Sequence, residues 1–406
     1  MDTALAAPGK SQRLQYIRER INSMEMPDSS IEEWRYSGID ELDLSGYALR
    51  SGIAIREVHS DLSAPILEAN GQAVLIRTRN GEISTDFAAP EGMTLGLRDP
   101  EDIPYDFSAA DIFSHMNALL GSSVSLSINA AYDSAVPVIV IRELDSTEAT
   151  AVFPNLCVKL EPGAAATVIE LLLSPNDANV LAVPVTKIFL EKDSHLEFLL
   201  IQDLGSGCNM IGHQISRLMS GAKFSSMSIL GGGAYSRLFT TSTIAGAGAE
   251  SNLDAAYFGS GKQVLDFRTR QEHAAKSGRS ELYFKGAAAN DAHLVYSGLI
   301  KVDKGATSTD AFQTNKNLVL SEGAKADSVP NLDIEENDVR CSHASSVGPV
   351  DEEQQYYLES RGIEPGTAQR LIVSGFFSEM SGRSKIAGVR EALVALTAKK
   401  WKDLQR

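Results

Sequence analysis

The sequence predicts a mainly β protein whose centre is a parallel β-helix and whose two ends are helical. Three observations predict it. From Ser122 to Val339, short runs rich in Val, Ile, Leu, Phe and Tyr alternate with small and polar turn residues: VSLSI, PVIVI, TVIELLL, HLEFLLI, HLVYSGLIKV and NLVLS. Gly-Ala recurs at Gly163, Gly221, Gly246, Gly286, Gly305 and Gly323, the last three at nearly even spacing. Helical periodicity is confined to the ends. A period of about 20 residues without long intervening helices is what a coiled stack of strands shows, each coil pairing with the next. A β-sandwich also produces strands at short, regular spacing and stays open as the alternative. The length of the uninterrupted strand region favours the solenoid.

The division that follows is a mixed, helix-rich region over residues 1–121, a β-helix over 122–349 and a helical region over 350–406. At the start, Leu14, Ile17, Ile21 and Met24 form one stripe on a helical period, and Pro27 stops it. Ser30 stands three residues before Glu33, the spacing of a capping box, and predicts a second short helix. A third fits Ser108 to Leu120, with Gly121 as its left-handed cap. After the strands, Asp351 to Arg361 reads as a helix closed by Gly362. Pro365 suits the first turn of another, in which Ala368, Leu371, Ile372, Gly375 and Phe376 share a face. Ile386, Val389, Leu393 and Leu396 mark the last. Exposed strand edges invite aggregation, so the terminal helices serve either as caps of the solenoid or as a docking surface.

Composition excludes several roles. The hydrophobic fraction of 43% is that of a folded chain. A formal charge of −16 opposes binding to nucleic acid or an anionic membrane, which needs clustered Lys and Arg. No window approaches a membrane span, and the N-terminus lacks a basic segment followed by an apolar run, so the expected location is the cytoplasm, or the plastid stroma in a plastid-bearing organism. The three cysteines, Cys157, Cys208 and Cys341, are far apart and signal neither a disulfide framework nor a closed zinc site.

No phosphate-loop, zinc-protease or nucleophile-elbow motif is present, and no catalytic residue is assigned. Gly231-Gly232-Gly233 lacks the Lys and Ser or Thr of a phosphate loop and reads as a turn. His115, His195, His213, His273 and His293 read as structural or surface residues. Cys341 and His343 are different. At i and i+2 on a strand they share a face, and thiolate with imidazole suits soft or borderline metals, including the iron of iron–sulfur clusters. Spacing alone leaves open a pair of ligands or two ordinary strand residues, and two ligands do not complete a site.

At these residues the chain resembles the SufB/SufD scaffold family of iron–sulfur cluster assembly, and within it the SufD branch. The resemblance is carried by VPNLDIEENDVRCSHASSVGPVDEEQQYYLESRGIEPGTAQRLIVSGFF, by DAFQTNKNLVLSEGAKADS upstream, and by EEWRYSGIDEL near the start; residues 57–180 match only loosely. It implies a right-handed parallel β-helix that pairs with a SufB β-helix and docks a SufC ATPase on its C-terminal helices. His343 matches a histidine assigned to a nascent cluster or iron site at the SufB interface, and Cys341 matches a neighbouring cysteine. The SufC-docking residues it implies are Tyr356, Tyr357, Leu358, Arg361, Gly362, Ile363, Ala368, Leu371, Ile372, Gly375 and Phe376. Ala344 departs from the family's usual glycine after Cys-Ser-His. The shortage of cysteines separates the chain from SufB.

The expectation is therefore a non-enzymatic scaffold subunit. It holds no tight cofactor of its own, shares a transient cluster or iron at the SufB interface, and leaves open a reduced flavin in the complex and a homodimer when isolated. Two alternatives remain: a self-sufficient SufB-like homodimeric scaffold, which would want more cysteines, and a β-helix carbohydrate-active enzyme, which would want paired carboxylates in an open groove.

Overall fold

The structure, a computed structural model, describes residues 15, 19, 21–49, 56–84, 88–97 and 111–404 of the chain. It is a β-solenoid of two facing sheets. One, the first sheet, runs from β1 (Val74–Arg79), with β2 (Glu82–Ile83) on its edge, through β5 (Val138–Glu143), β8 (Ala165–Leu173), β11 (His195–Asp203), β13 (Lys223–Leu230), β15 (Glu250–Gly259), β17 (Arg279–Ala288) and β19 (Thr309–Val319) to β21 (Val339–Gly348). The second runs from β3 (Met93–Gly96) through β4 (Ser122–Ile128), β7 (Pro154–Leu160), β10 (Val185–Leu190), β12 (Asn209–Leu218), β14 (Tyr235–Ile244), β16 (Val264–His273) and β18 (His293–Val302) to β20 (Lys325–Ile334). Short β6 (Thr150–Val152) and β9 (Val180–Ala182) pair beside it. Successive coils pair in parallel, which decides for the solenoid against the sandwich.

The repeat is longer than the glycines suggested. His195, Lys223, Glu250, Arg279, Asp310 and Arg340 stand in register, one above another. Each coil thus spans two strands, and one full coil is the step from Asp310 to Arg340, clearly longer than the glycine spacing. Gly305 and Gly323 turn opposite corners of one coil, and Gly286 lies inside β17, where an added Cβ would meet Asn317 Oδ1 at 2.3 Å. The true periodic mark is a left-handed backbone position at one corner, held in turn by Gly163, Asp193, Gly221, Gly248, Ser277 and Ser308, with φ between 56° and 73°. The amides of these residues donate to carbonyls of the next coil, Asp193 to Ser220 at 2.9 Å and Gly221 to Ala247 at 3.0 Å.

Side chains inside the coil form the main core, including Val168, Phe198, Phe224, Leu238, Leu253, Phe267 and Leu294. The outer faces are covered from both ends of the chain. On the second sheet, Trp34, Ile39 and Phe113 pack over Leu181, Val183 and Ile211. Arg237 lies 3.8 Å from the Trp34 ring and donates to Glu33 O at 2.7 Å, while Arg268 donates to Arg35 O at 2.5 Å. The helix α1 (Ala64–Ala69) covers part of the first sheet. Helix α2 (Ile112–Leu120) is capped by Asp111, whose side chain accepts from Ser114 N.

Two capping expectations fail. Ser30 donates to Asp28 Oδ1 at 2.5 Å instead of capping, and the 3-10 turn Glu32–Trp34 starts from Ile31 without a side-chain cap. Gly121 is extended (φ −69°, ψ 144°), and a Cβ there would sit 2.4 Å from Asn117 O, so close approach rather than handedness requires glycine. Of the first predicted helix, Leu14 and Ile17 lie outside the described residues; Ile21–Ser23 are helical. The β-helix also begins earlier than expected, because β1 already pairs with β5.

The chain closes with α3 (Glu352–Ser360), α4 (Pro365–Ser378) and α5 (Val389–Leu404). These do not cap the last coil. Val373, Phe377, Met380, Leu393 and Leu396 pack on the outer face of the first sheet against Ile139, Ile169, Ile201, Met227 and Phe258. Ion pairs ring that contact: Lys285–Glu379, Arg383–Asp254, Lys385–Glu197 and Lys399–Asp203. Among the described residues no helix is long and apolar enough to cross a membrane.

Candidate functional site

At the far end of the solenoid, β20 and β21 are the last strands of their sheets. At the near end the antiparallel strands β2 and β3 close the sheets, whereas among the described residues no strand pairs beyond β20 or β21. Ile300 and Val302, fully buried in β18, stand in register with Leu332 and Ile334 of β20, which are exposed for lack of a further coil. Here the interior of the β-helix opens outward, with unpaired backbone groups along both edges.

Cys341 and His343 sit on that last coil. Register sets Cys341 over Ala311 and His343 over Gln313. Ala311 is buried in a small cluster with Ile300, Val302 and Ala306, against which Val339 and Cys341 pack. Cys341 therefore faces the interior side, and strand alternation turns His343 the same way. The thiol is half-buried and the imidazole exposed. Burial pushes the Cys341 thiol above its ordinary range; Asp310 adds to the rise and the Ala311 amide opposes it. Such a thiol is a poor free nucleophile and becomes a ligand only when a metal displaces its proton. Among the described residues no group of three or more His, Cys, Asp or Glu is placed to hold a metal ion.

The remaining candidates are dispersed. Cys157 and Cys208 are buried, and burial raises the Cys208 thiol despite its contact with Ser174 Oγ at 3.3 Å. His195 pairs with Glu197 at 3.0 Å, His213 with Asp111 at 3.2 Å and His293 with Asp327 at 2.6 Å. His273 contacts Ser280 Oγ at 2.8 Å, and burial brings its imidazole down to about 4. His115 is buried in α2. The glycine run is a corner turn whose amides are already used: Gly231 donates to Gln202 O, Gly232 to Gln202 Oε1 and Gly233 to Leu204 O.

The residues expected to dock a partner divide in two. Tyr356 (74% exposed), Tyr357 (57%) and Leu371 (47%) form an uncovered aromatic and aliphatic flank on α3 and α4, which exposed Gly375 extends. The Arg361 guanidinium stands 5.1 Å from the Tyr357 ring. Gly362, at φ 84°, ends α3; Leu358 and Ile363 are partly buried beside it. Ala368 is fully buried, and Ile372 and Phe376 lean on the first sheet. The stripe read from the sequence is thus rotated from the true buried face, which is set by Val373 and Phe377. What sequence reasoning missed is a polar ladder inside the last coils, Gln313, Asn315 and Asn317 on β19, announced only by the alternation in QTNKN.

Comparison with known proteins matches the family model for the SUF system FeS cluster assembly, SufBD core domain, to residues 142–376, more than half of the chain. An iron–sulfur cluster assembly SufBD family protein of Mycobacterium tuberculosis is 29% identical over 383 residues, 92% of this chain and 89% of the relative. The SufD of Escherichia coli is 26% identical over 390 residues, 95% and 92% of the two chains. The SufD of Bacillus subtilis is 35% identical over 162 residues, 40% and 37%. The solenoid, its helical ends and these matches together show that the chain belongs to the SufB/SufD family of iron–sulfur cluster assembly proteins, on the SufD side.

Proposed function

We propose that the chain is a non-catalytic scaffold that contributes half of an iron–sulfur assembly site. The open last coil docks the β-helix of a SufB-type partner. Cys341 and His343 face the cargo there, and the partner supplies the missing ligands. The observation that carries this reading is the pairing of an unprotected solenoid end with an incomplete ligand set on its last strand. Exposed parallel edges with apolar interior residues, Leu332, Ile334 and Val347, suit strand addition by another sheet. A SufC-type ATPase takes the Tyr356, Tyr357 and Leu371 flank, so that nucleotide chemistry belongs to the partner and movement reaches the edge through α4 and the first sheet. Such coupling needs the partner to bind the two arrangements unequally. On this reading the chain works in the cytoplasm, or the stroma of a plastid.

The test is co-purification with the SufB and SufC of the same cell, comparing native protein with His343→Ala, followed by anaerobic reconstitution with iron and sulfide. The reading expects an intact complex with reduced iron. Unchanged iron removes His343 from the site; loss of assembly even with native His343 removes the scaffold reading. A self-sufficient homodimer is disfavoured because Cys157 and Cys208 are buried away from the open coil.

A further inference from the structure

Gln313 lies directly beneath His343, on the neighbouring parallel strand and the same interior side. Its side chain is buried and pinned at one end: Nε2 donates to Tyr296 Oη at 2.5 Å, and Tyr296 Oη stands 3.1 Å from Thr269 Oγ1. The other end is unsatisfied. Gln313 Oε1 is buried with no hydrogen-bond partner among the described residues. The rest of the ladder differs: Asn315 Oδ1 accepts from Asn317 Nδ2 at 2.6 Å and from Ser328 Oγ at 2.8 Å, and Asn315 Nδ2 donates to Tyr257 Oη at 2.8 Å.

The space for this carboxamide is built in. At Gly298, across the coil, an added Cβ would fall 1.9 Å from Gln313 Nε2 and 2.2 Å from Tyr296 Oη. A strand interior ordinarily disfavours glycine, so its presence here marks close approach. The result is a buried amide with its nitrogen anchored and its oxygen without a donor, one strand below an imidazole with two ring nitrogens. Adjacent strands lie about 4.8 Å apart, a separation that a glutamine and a histidine side chain bridge. A histidine that binds metal through one nitrogen is ordinarily held by a hydrogen bond from the other to a carbonyl or carboxylate, which fixes tautomer and ring plane.

We propose that Gln313 is a positioning residue for His343: its carboxamide oxygen accepts the N–H of one ring nitrogen and leaves the other presented, unprotonated, at the open coil. The iron-ligand role of His343 is the reading given above, and this inference rests on it. The Tyr296, Thr269 and Gly298 contacts hold the carboxamide, and the carboxamide holds the ring.

The experiment uses the full chain with nitrogen-15 histidine, and long-range proton–nitrogen spectra taken where the ring is neutral; His343→Gln assigns the signal. The native protein is expected to show one His343 tautomer. Gln313→Leu is expected to show both in exchange, and Gln313→Glu, which keeps an acceptor, to restore one. Gln313→Met, closer in length, replaces the leucine variant if that lowers the thermal unfolding midpoint. An unchanged His343 signal in a stably folded variant without the acceptor overturns the proposal. In the complex with the SufB-type partner, cobalt(II) serves as probe: Gln313→Leu is expected to weaken its binding about 10-fold, with recovery in Gln313→Glu. If the tautomer responds but cobalt(II) binding ignores His343→Ala, the Gln313 contact stands and the ligand reading of His343 falls.

Discussion

Lys285, with its side chain 1% exposed, donates through Nζ to Glu379 Oε2 at 2.5 Å and to Phe376 O at 2.7 Å. This joins the outer face of β17 to the end of α4. Tyr283 Oη adds a bond to Glu379 Oε1 at 2.8 Å. The two partners of the ion pair respond in different ways. Hydrogen bonds from Lys285 and Tyr283 hold the exposed Glu379 carboxyl below the usual range, whereas burial pulls the Lys285 ammonium below its own. The lysine has lost more hydration than the pair returns, whereas for the exposed carboxylate the hydrogen bonds outweigh a small burial cost.

Glu379→Gln should therefore loosen the helical end of the chain rather than unfold the solenoid. The expected loss is roughly 1–2 kcal/mol, because a buried ammonium keeps only one strong acceptor and the removed partner was largely in water. Hydrogen exchange should quicken in α4 and stay slow in β11 to β17. The Glu379 contribution has the sign of a depressed carboxyl: present above its unfolded value and lost as pH falls through its folded one.

Lys400 of α5 predicts the opposite end of the pH scale. It is fully buried, its Nζ donates to Gln263 Oε1, and burial with Lys399 nearby lowers it to about 7. The unfolded chain binds this proton up to about 10.5, so stability from this group is present above that value and lost as pH falls through about 7. Unfolding midpoints should rise with pH between these limits in the native protein. In Lys400→Met the curve should be flatter across the same window, and stability at pH 7 should be higher by about 1 kcal/mol or more.

The proposed docking of a SufC-type ATPase is best tested at single positions. Removing 351–406 would uncover Ile139, Ile201 and Phe258 on the first sheet and confuse misfolding with lost binding. Leu371→Glu and Tyr356→Ala act on exposed side chains and should leave stability within about 0.5 kcal/mol of native. Each should weaken capture of a SufC-type ATPase about 10-fold or more if the flank is the interface core. Equal capture by both variants would move the interface elsewhere.

Much of the fold is legible in the sequence because the strands are short, apolar and punctuated. Runs such as PVIVI and TVIELLL also carry a signal that periodicity alone does not use: apolar side chains at consecutive positions mean burial on both faces. Val138 and Val140 point inward, while Ile139 and Ile141 meet the C-terminal helices. The glycines mislead about the period because the left-handed corner is held as often by Asp193, Ser277 and Ser308 as by glycine, so that Gly-Ala samples two corners and the interior of β17 unevenly. Cys341 and His343 are legible as a same-face pair. That their strand is the last is not, since sequence gives no sign of where the helices after Gly348 will pack. Gln313 is hidden for a related reason: its meaning depends on a neighbour one full coil away in register.

An open coil that serves as an interface shields its edge amides when the partner binds. Hydrogen–deuterium exchange over β20 and β21, with and without the SufB-type partner, reads that shielding. The edge amides of 325–334 and 339–348, fast in the free chain, should slow by about 10-fold or more in the complex, while those of β11 to β15 should not change. Edge amides that stay fast in a formed complex, with protection elsewhere on the chain, would contradict an interface at the open coil.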